Sequence, residues 1–387
     1  MVVDRLPIET EPLALYVHWP WCVRKCPYCD FNSYGAPRCI PEAAYVTALT
    51  EDLAWAARAA AGRQVSSVFF GGGTPSLMSA DGFSRLMDAI RRTVTLTEDC
   101  EISMEANPGT VERDRFKAYA AAGVNRISLG IQSFSDENLK RLGRIHSASD
   151  AMKSIEAAHE AFENINLDVM YALPGQTEKE LETEIAAALA AATTHLSFYE
   201  LTIEDGTAFG KRPPDGLPEG DAAADMGQLV HERLTTGGFE HYEISGYAKP
   251  GRRCRHNRTY WTFGDYLGVG AGAHGKVTVD GEIIRTVRTA NPTNYLAGAE
   301  KGVFESERRV VTDEDLPFEF ALNVLRLTDG VAASRWEATT GRPLSFVKPV
   351  LADLRTKGLL VPDSGRIAVT ELGRRFLSDV QEAFLSE

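Results

Sequence analysis

Tyr16-Val-His-Trp-Pro-Trp-Cys22-Val-Arg-Lys-Cys26-Pro-Tyr-Cys29-Asp-Phe-Asn carries three cysteines in a C-x3-C-x2-C pattern. Three thiolates this close in sequence suit a metal or an iron–sulfur centre. Pro20 and Pro27 keep the loop from closing into a helix, which lets the sulfurs converge. Trp19, Trp21, Tyr28 and Phe31 flank them, either as ordinary core or as a shield from water that tunes a cluster. Two ligand sets stay open on the residues alone. His18 with Cys22, Cys26 and Cys29 would make a four-ligand zinc site, although such sites usually pair their ligands at wider separation. Three cysteines on a 4Fe-4S cube would instead leave one iron free for another ligand.

Outward from this loop, strands and helices alternate. Apolar strand patterns fall at 13–18, 65–70, 101–105, 126–131, 165–170 and 195–203, and amphipathic, alanine-rich stretches at 41–61, 80–93, 111–122, 149–161 and 178–192. Pro41 and Pro75 stand where helices begin, Gly62 and Gly123 where they end. Repeated strand–helix units require parallel strands with right-handed crossovers. The expected fold is α/β, a partial (β/α)6 TIM-like barrel over residues 1–240, with reactive groups at the C-terminal strand ends. Residues 241–312 form a mixed connecting region with a hairpin turn at Asp280-Gly281. Residues 313–387 read as helices followed by a small strand pair, a winged-helix-like domain.

Composition limits the function classes. Hydrophobic content of 44% and charged content of 25% are those of an ordinary globular protein. No run reaches the roughly 18 apolar residues of a membrane span, so an integral membrane protein is not expected. The start, Met1-Val2-Val3-Asp4-Arg5, has no signal-peptide core, so the expected location is the cytoplasm, with Cys39, Cys100 and Cys254 reduced. A net charge of −13 works against binding nucleic acid, as does a C-terminal region with 9 Lys/Arg against 12 Asp/Glu.

The cysteine loop resembles that of radical S-adenosylmethionine (SAM) proteins, closest to the branch containing oxygen-independent coproporphyrinogen III oxidases and their relatives. The resemblance covers nearly the whole chain. It implies a 4Fe-4S cluster on Cys22, Cys26 and Cys29, SAM chelated to the open iron, and one-electron reduction that yields a 5′-deoxyadenosyl radical. Gly71-Gly72-Gly73-Thr74 follows an apolar strand, where missing side chains let backbone groups approach a ligand. Glu105, Gln132 and Asp168 lie at or in successive strands. SAM needs carboxylates for its ammonium and hydroxyls and a cation for its carboxylate, for which Arg144 is the candidate. The family pattern implies SAM contact at Tyr16, Gly72, Gly73, Thr74, Glu105, Gln132, Arg144 and Asp168.

Two features depart from the oxidases. They carry a further cysteine where this chain has Phe31, and a longer extension before the loop, of which 21 residues stand here. The string His256-Asn257-Arg258-Thr259-Tyr260-Trp261 is instead similar to the H-N-x-x-Y-W hallmark of HemW-type haem chaperones. The resemblance implies haem contact, with His256 as a ligand, Tyr260 and Trp261 stacked on the macrocycle, and Arg252, Arg253, Arg255 or Arg258 on the propionates. Without the family, a histidine beside aromatics is a hydrogen-bonded structural residue. Cys254 is a second candidate ligand or a buried bystander. Gly270-x-Gly272-x-x-Gly275 matches a dinucleotide fingerprint in form but not in setting, and Val277 stands where a phosphate loop needs Ser or Thr; close backbone packing accounts for it better.

The expected function is a haem chaperone that uses cluster and SAM to govern transfer of haem to an acceptor protein, such as a membrane-associated respiratory enzyme. The alternative is oxidative decarboxylation of coproporphyrinogen III.

Overall fold

The computed structural model describes residues 11–60 and 62–385. The Met1–Arg5 segment and Ala61 lie outside them.

Twelve strands form one open sheet: β1 (Leu13–Trp19), β2 (Val65–Gly72), β3 (Leu96–Ala106), β4 (Arg126–Gln132), β5 (Asn164–Tyr171), β6 (His195–Glu200), β7 (Glu240–His241), β8 (Gly246–Ala248), β9 (Tyr266–Val269), β10 (His274–Val279), β11 (Glu282–Arg288) and β12 (Glu305–Val310). Their spatial order is β12-β11-β10-β9-β1-β2-β3-β4-β5-β6-β8-β7. β1 to β6 run parallel in chain order, as expected of a partial barrel that does not close. Buried on both faces, β1 reads as a continuous run rather than an alternating one.

The helices α1 (Glu42–Ala56), α2 (Ala80–Thr93), α3 (Thr110–Ala122), α4 (Ala148–Ala161) and α5 (Glu178–Ala190) connect these strands, and α6 (Gly220–Thr236) follows β6. Their starts are written locally. Ser79 caps α2, and Ser147/Asp150 and Thr177/Glu180 close capping boxes on α4 and α5. Gly123 ends α3 at φ +117°, a conformation that favours glycine.

Two expectations change. A seventh parallel strand, β9, pairs with the free side of β1, so residues after 241 extend the same sheet. Its four-residue length and Gly268 hid it from a pattern built on apolar runs. β6 stops at Glu200 rather than 203, because its neighbour β5 ends at Tyr171 and leaves no ladder to continue. The Asp280-Gly281 turn forms as read, with both residues at positive φ (50° and 77°).

After β12 come α8 (Leu316–Val324), α9 (Ser334–Thr340) and α10 (Lys348–Thr356). A small antiparallel wing follows, with Leu360 opposite Val369 and Val331 opposite Ile367. This unit has its own core of Phe320, Trp336, Leu351, Leu354 and Val380, which Phe263 of the sheet domain joins.

Candidate functional site

A cavity of about 470 Å³ runs from the cysteine loop, past the C-terminal ends of β1 to β6, down to a short helix, α7 (Arg255–Trp261) in chain order. It gathers Tyr16, Cys22, Cys26, Cys29, Gly72, Gly73, Thr74, Glu105, Gln132, Arg144, Asp168, His256 and Tyr260. Trp261 does not line it.

The three thiols are free and half-buried. Each sulfur has a polar neighbour: Thr74 beside Cys22, Arg144 Nη1 donating to Cys26 Sγ at 3.4 Å, and Ser33 Oγ at 3.6 Å from Cys29 Sγ. His18 is not available as a fourth ligand. Its Nδ1 meets the Tyr16 hydroxyl and its Nε2 the Asn32 carbonyl, each at 2.9 Å, and burial lowers its pKa to about 4. Among the described residues no three His, Cys, Asp or Glu side chains are drawn together as a single ion requires. Three separated sulfurs with no protein fourth ligand fit a cube with an open corner. With His18 engaged, they leave a closed structural zinc site one protein ligand short.

The glycine run works by close approach. Gly73 N donates to Trp19 O at 2.6 Å and Thr74 N to Trp21 O at 2.8 Å. A Cβ on Gly73 would stand 2.6 Å from Trp21 O, and one on Gly72 2.4 Å from the His18 ring. The strand end is thereby pressed onto the cysteine loop, and Gly72 N donates to Glu105 Oε2 at 3.1 Å. The later cluster Gly268–Lys276 does the same from the other side: Asn32 Nδ2 donates to Ala271 O at 2.9 Å, and Gly270 N to buried Asp52 at 3.0 Å.

Glu105 and Asp168 face inward from β3 and β5. Burial, then the charge of Asp168, raises Glu105 to about 8; the Gly72 N–H opposes this. Burial also raises Asp168, against hydrogen bonds from Ser128 at 3.0 Å and Asn166 at 2.8 Å. Gln132 ends β4 at φ +65°, strain of a kind that gathers at ligand sites. A carboxylate pair facing a thiol loop and Arg144 suits a ligand with both an ammonium and a carboxylate.

Helix α7 forms the floor. Glu101 of β3 accepts from the backbone N–H of Arg255 at 3.1 Å and of His256 at 3.3 Å, and from Cys254 Sγ at 3.5 Å. His256 is 1% exposed and stacks on Phe69 at 5.0 Å. Its Nδ1 meets Ser67 Oγ at 3.2 Å and its Nε2 the Tyr260 hydroxyl at 2.7 Å. Burial, then Arg126, lowers its pKa to about 3, so the imidazole is neutral. A neutral imidazole suits haem iron, provided Tyr260 gives up Nε2. Cys254 is fully buried against Glu101, with its thiol pushed up to about 12. Trp261 turns to the C-terminal unit, under the Arg326 guanidinium at 4.2 Å. Arg253 pairs with Glu240 and Asp329, and Arg255 with Asp99.

The radical SAM superfamily model matches residues 16–188, and the HemN C-terminal domain model matches 311–376. Heme chaperone HemW of Escherichia coli K12 is 46% identical over 382 residues, covering 98% of this chain and 100% of that protein. This chain belongs to the HemW family. Heme chaperone HemW of Bacillus subtilis is 37% identical, covering 97% and 99%. In fold, the chain matches coproporphyrinogen III oxidase (HemN) from Escherichia coli at TM-score 0.82, 24% identity, covering 96% of this chain and 90% of that one. HemW-family membership in the radical SAM superfamily carries with it a 4Fe-4S cluster and SAM.

Sequence reasoning missed Arg126, Ser128, Asn166 and Tyr199, which also line the cavity. The signal was present: Arg126-x-Ser128-x-Gly130-x-Gln132 alternates inward polar or small positions with apolar ones. Reading 126–131 only as an apolar strand passed over it.

Proposed function

We propose that this protein binds haem and delivers it to an acceptor protein, with its cluster and SAM governing the transfer. One observation carries this reading: the His256–Trp261 helix floors the same cavity whose mouth holds the cysteine loop. When bound, the cluster supplies electrons to SAM at the open corner. The chain's own residues do the rest. Cys22, Cys26 and Cys29 hold the cluster, and Arg144 takes the ligand's carboxylate. Glu105 and Asp168 take its ammonium and hydroxyls, and Gly72, Gly73 and Thr74 shape the wall beside it. His256 offers a neutral imidazole to haem and Tyr260 an aromatic face. The haem passes to an acceptor protein reached from the cytoplasm. No described helix is long and apolar enough to cross a membrane.

Phe31, 57% exposed at the mouth, stands in place of the oxidases' additional cysteine and speaks against turnover of a porphyrinogen. Anaerobically reconstituted protein should bind haem stoichiometrically in an absorbance titration. With coproporphyrinogen III, SAM and a reductant it should form no more protoporphyrinogen than one equivalent. Multiple turnovers would make it an oxidase.

A further inference from the structure

Below the mouth, the barrel interior is crowded with charge. Glu101 and Glu105 stand on the inward row of β3 and Asp168 on that of β5. Between these rows lies Arg126 on β4, two residues before the Ser128 that donates to Asp168. Three buried carboxylates thus surround one guanidinium. Glu101 is occupied by the N–H groups of α7. Glu105 and Asp168 face the open cavity.

Arg126 is 2% exposed and lines that cavity, yet its guanidinium has no hydrogen-bonded partner among the described residues, and its Nε is wholly enclosed. An unused Nε–H donor enclosed by protein is costly. A group kept there despite that cost acts through its charge. We infer that Arg126 is a positioning residue for the SAM site: from beneath the ligand its charge favours the ionised forms of Glu105 and Asp168, so that they give up a proton as they receive the ligand's ammonium and hydroxyls. This rests on the reading that those two carboxylates touch SAM.

SAM carries a sulfonium and an ammonium against one carboxylate, so it enters as a net cation. Two carboxylates buried close together tend to keep a proton. Burial and Asp168 raise Glu105 to about 8, and Arg126 opposes the rise at both carboxylates. The other groups that face Arg126 are Glu101, Tyr242, Cys254, His195 and His256. Burial keeps both histidines neutral, so in this lower half Arg126 is the fixed positive charge among the described residues. Binding of the cation then releases the proton of Glu105, and affinity rises with pH towards about 8.

The test is SAM binding to anaerobically reconstituted protein, by equilibrium dialysis between about pH 6 and about pH 9. Arg126→Gln should bind SAM roughly tenfold more weakly at neutral pH, with the deficit closing as pH rises and the profile displaced upward by about one unit. Arg126→Lys, which keeps the charge, should follow the wild-type profile. Cluster absorbance should be the same in all three. A deficit independent of pH, no deficit, or a displaced Lys profile would overturn the proposal; the Lys profile decides if the Gln variant does not fold. Glu105→Gln and Asp168→Asn separate the underlying reading: if both bind SAM normally, the contact assignment itself falls. If they bind poorly while Arg126→Gln binds normally, only the role of Arg126 falls.

Discussion

Arg144 donates to Cys26 Sγ through Nη1 at 3.4 Å while its Nη2 bonds Gly130 O at 2.9 Å and Asn107 Oδ1, so one guanidinium ties the cysteine loop to the end of β4. A cation on a ligating sulfur favours its thiolate and eases the addition of an electron nearby. Arg144→Met should leave iron and sulfide content unchanged, shift the cluster's midpoint potential to more negative values, and weaken SAM binding about tenfold or more, the usual worth of a hydrogen bond to a charged group. A redox titration followed by electron paramagnetic resonance reads the first effect and dialysis the second. An unchanged potential would remove Arg144 from the cluster's surroundings.

Asn32 and Gly272 meet at the far side of the loop. The Asn32 amide donates to Ala271 O and Ala290 O, both at 2.9 Å, and a Cβ on Gly272, at φ +82°, would lie 2.1 Å from that amide. Gly272→Ala should therefore cost about 1–3 kcal/mol in urea denaturation. It should also lower iron per chain after reconstitution, because the end of the cysteine loop loses its anchor. Asn32→Ala should reproduce the iron deficit with a smaller loss of stability. Full iron loading in both variants would show that the loop is held elsewhere.

These two contacts mark how far the sequence could be read. The C-x3-C-x2-C spacing and the strand–helix alternation are local patterns, so the cysteine ligands, the six parallel strands and their helices are legible without coordinates. Asn32 with Gly272, Glu101 with the α7 backbone, and Arg126 beneath Asp168 each join residues distant in the chain, and no periodicity announces them. β9 is the intermediate case. Its Tyr266-Leu-Gly-Val run is too short and glycine-bearing to stand out, and it becomes a strand because β1 offers an unpaired edge. Trp261 shows a different limit: a motif names its residues, but the helix on which it sits sends Tyr260 to the cavity and Trp261 to the neighbouring core.

Glu105 gives a pH dependence of stability whose sign is fixed. Its folded pKa of about 8 lies above the ordinary carboxylate value of 4.5, with burial the main cause and Asp168 the next. The folded state therefore holds the proton more tightly than the unfolded chain. This contribution is complete below about pH 4.5 and is lost as pH rises through about 8. Other buried carboxyl groups titrate too, so the useful quantity is a difference. Glu105→Gln, which mimics the protonated form, should flatten the decline of urea stability between these limits by an amount on the order of a few kcal/mol. Parallel curves for the two proteins would place an ionised Glu105 in the folded protein at neutral pH.

His256 and Tyr260 allow haem ligation to be separated from structural support. His256→Ala removes two hydrogen bonds and the packing on Phe69, so a stability loss of about 2–4 kcal/mol is expected beside any loss of haem. That variant alone cannot distinguish a ligand from a strut. Tyr260→Phe can, because it removes only the hydroxyl that occupies Nε2. If Nε2 binds haem iron, the wild-type protein must break that hydrogen bond first, a cost of about 0.5–1.5 kcal/mol that the Phe variant is spared. Haem affinity should then rise a few-fold to about tenfold in Tyr260→Phe and fall in His256→Gln, with cluster absorbance constant in both. A fall in Tyr260→Phe would instead make the hydroxyl part of the haem site. No change in either variant would return His256 to the role that its two hydrogen bonds already describe, support for the barrel floor.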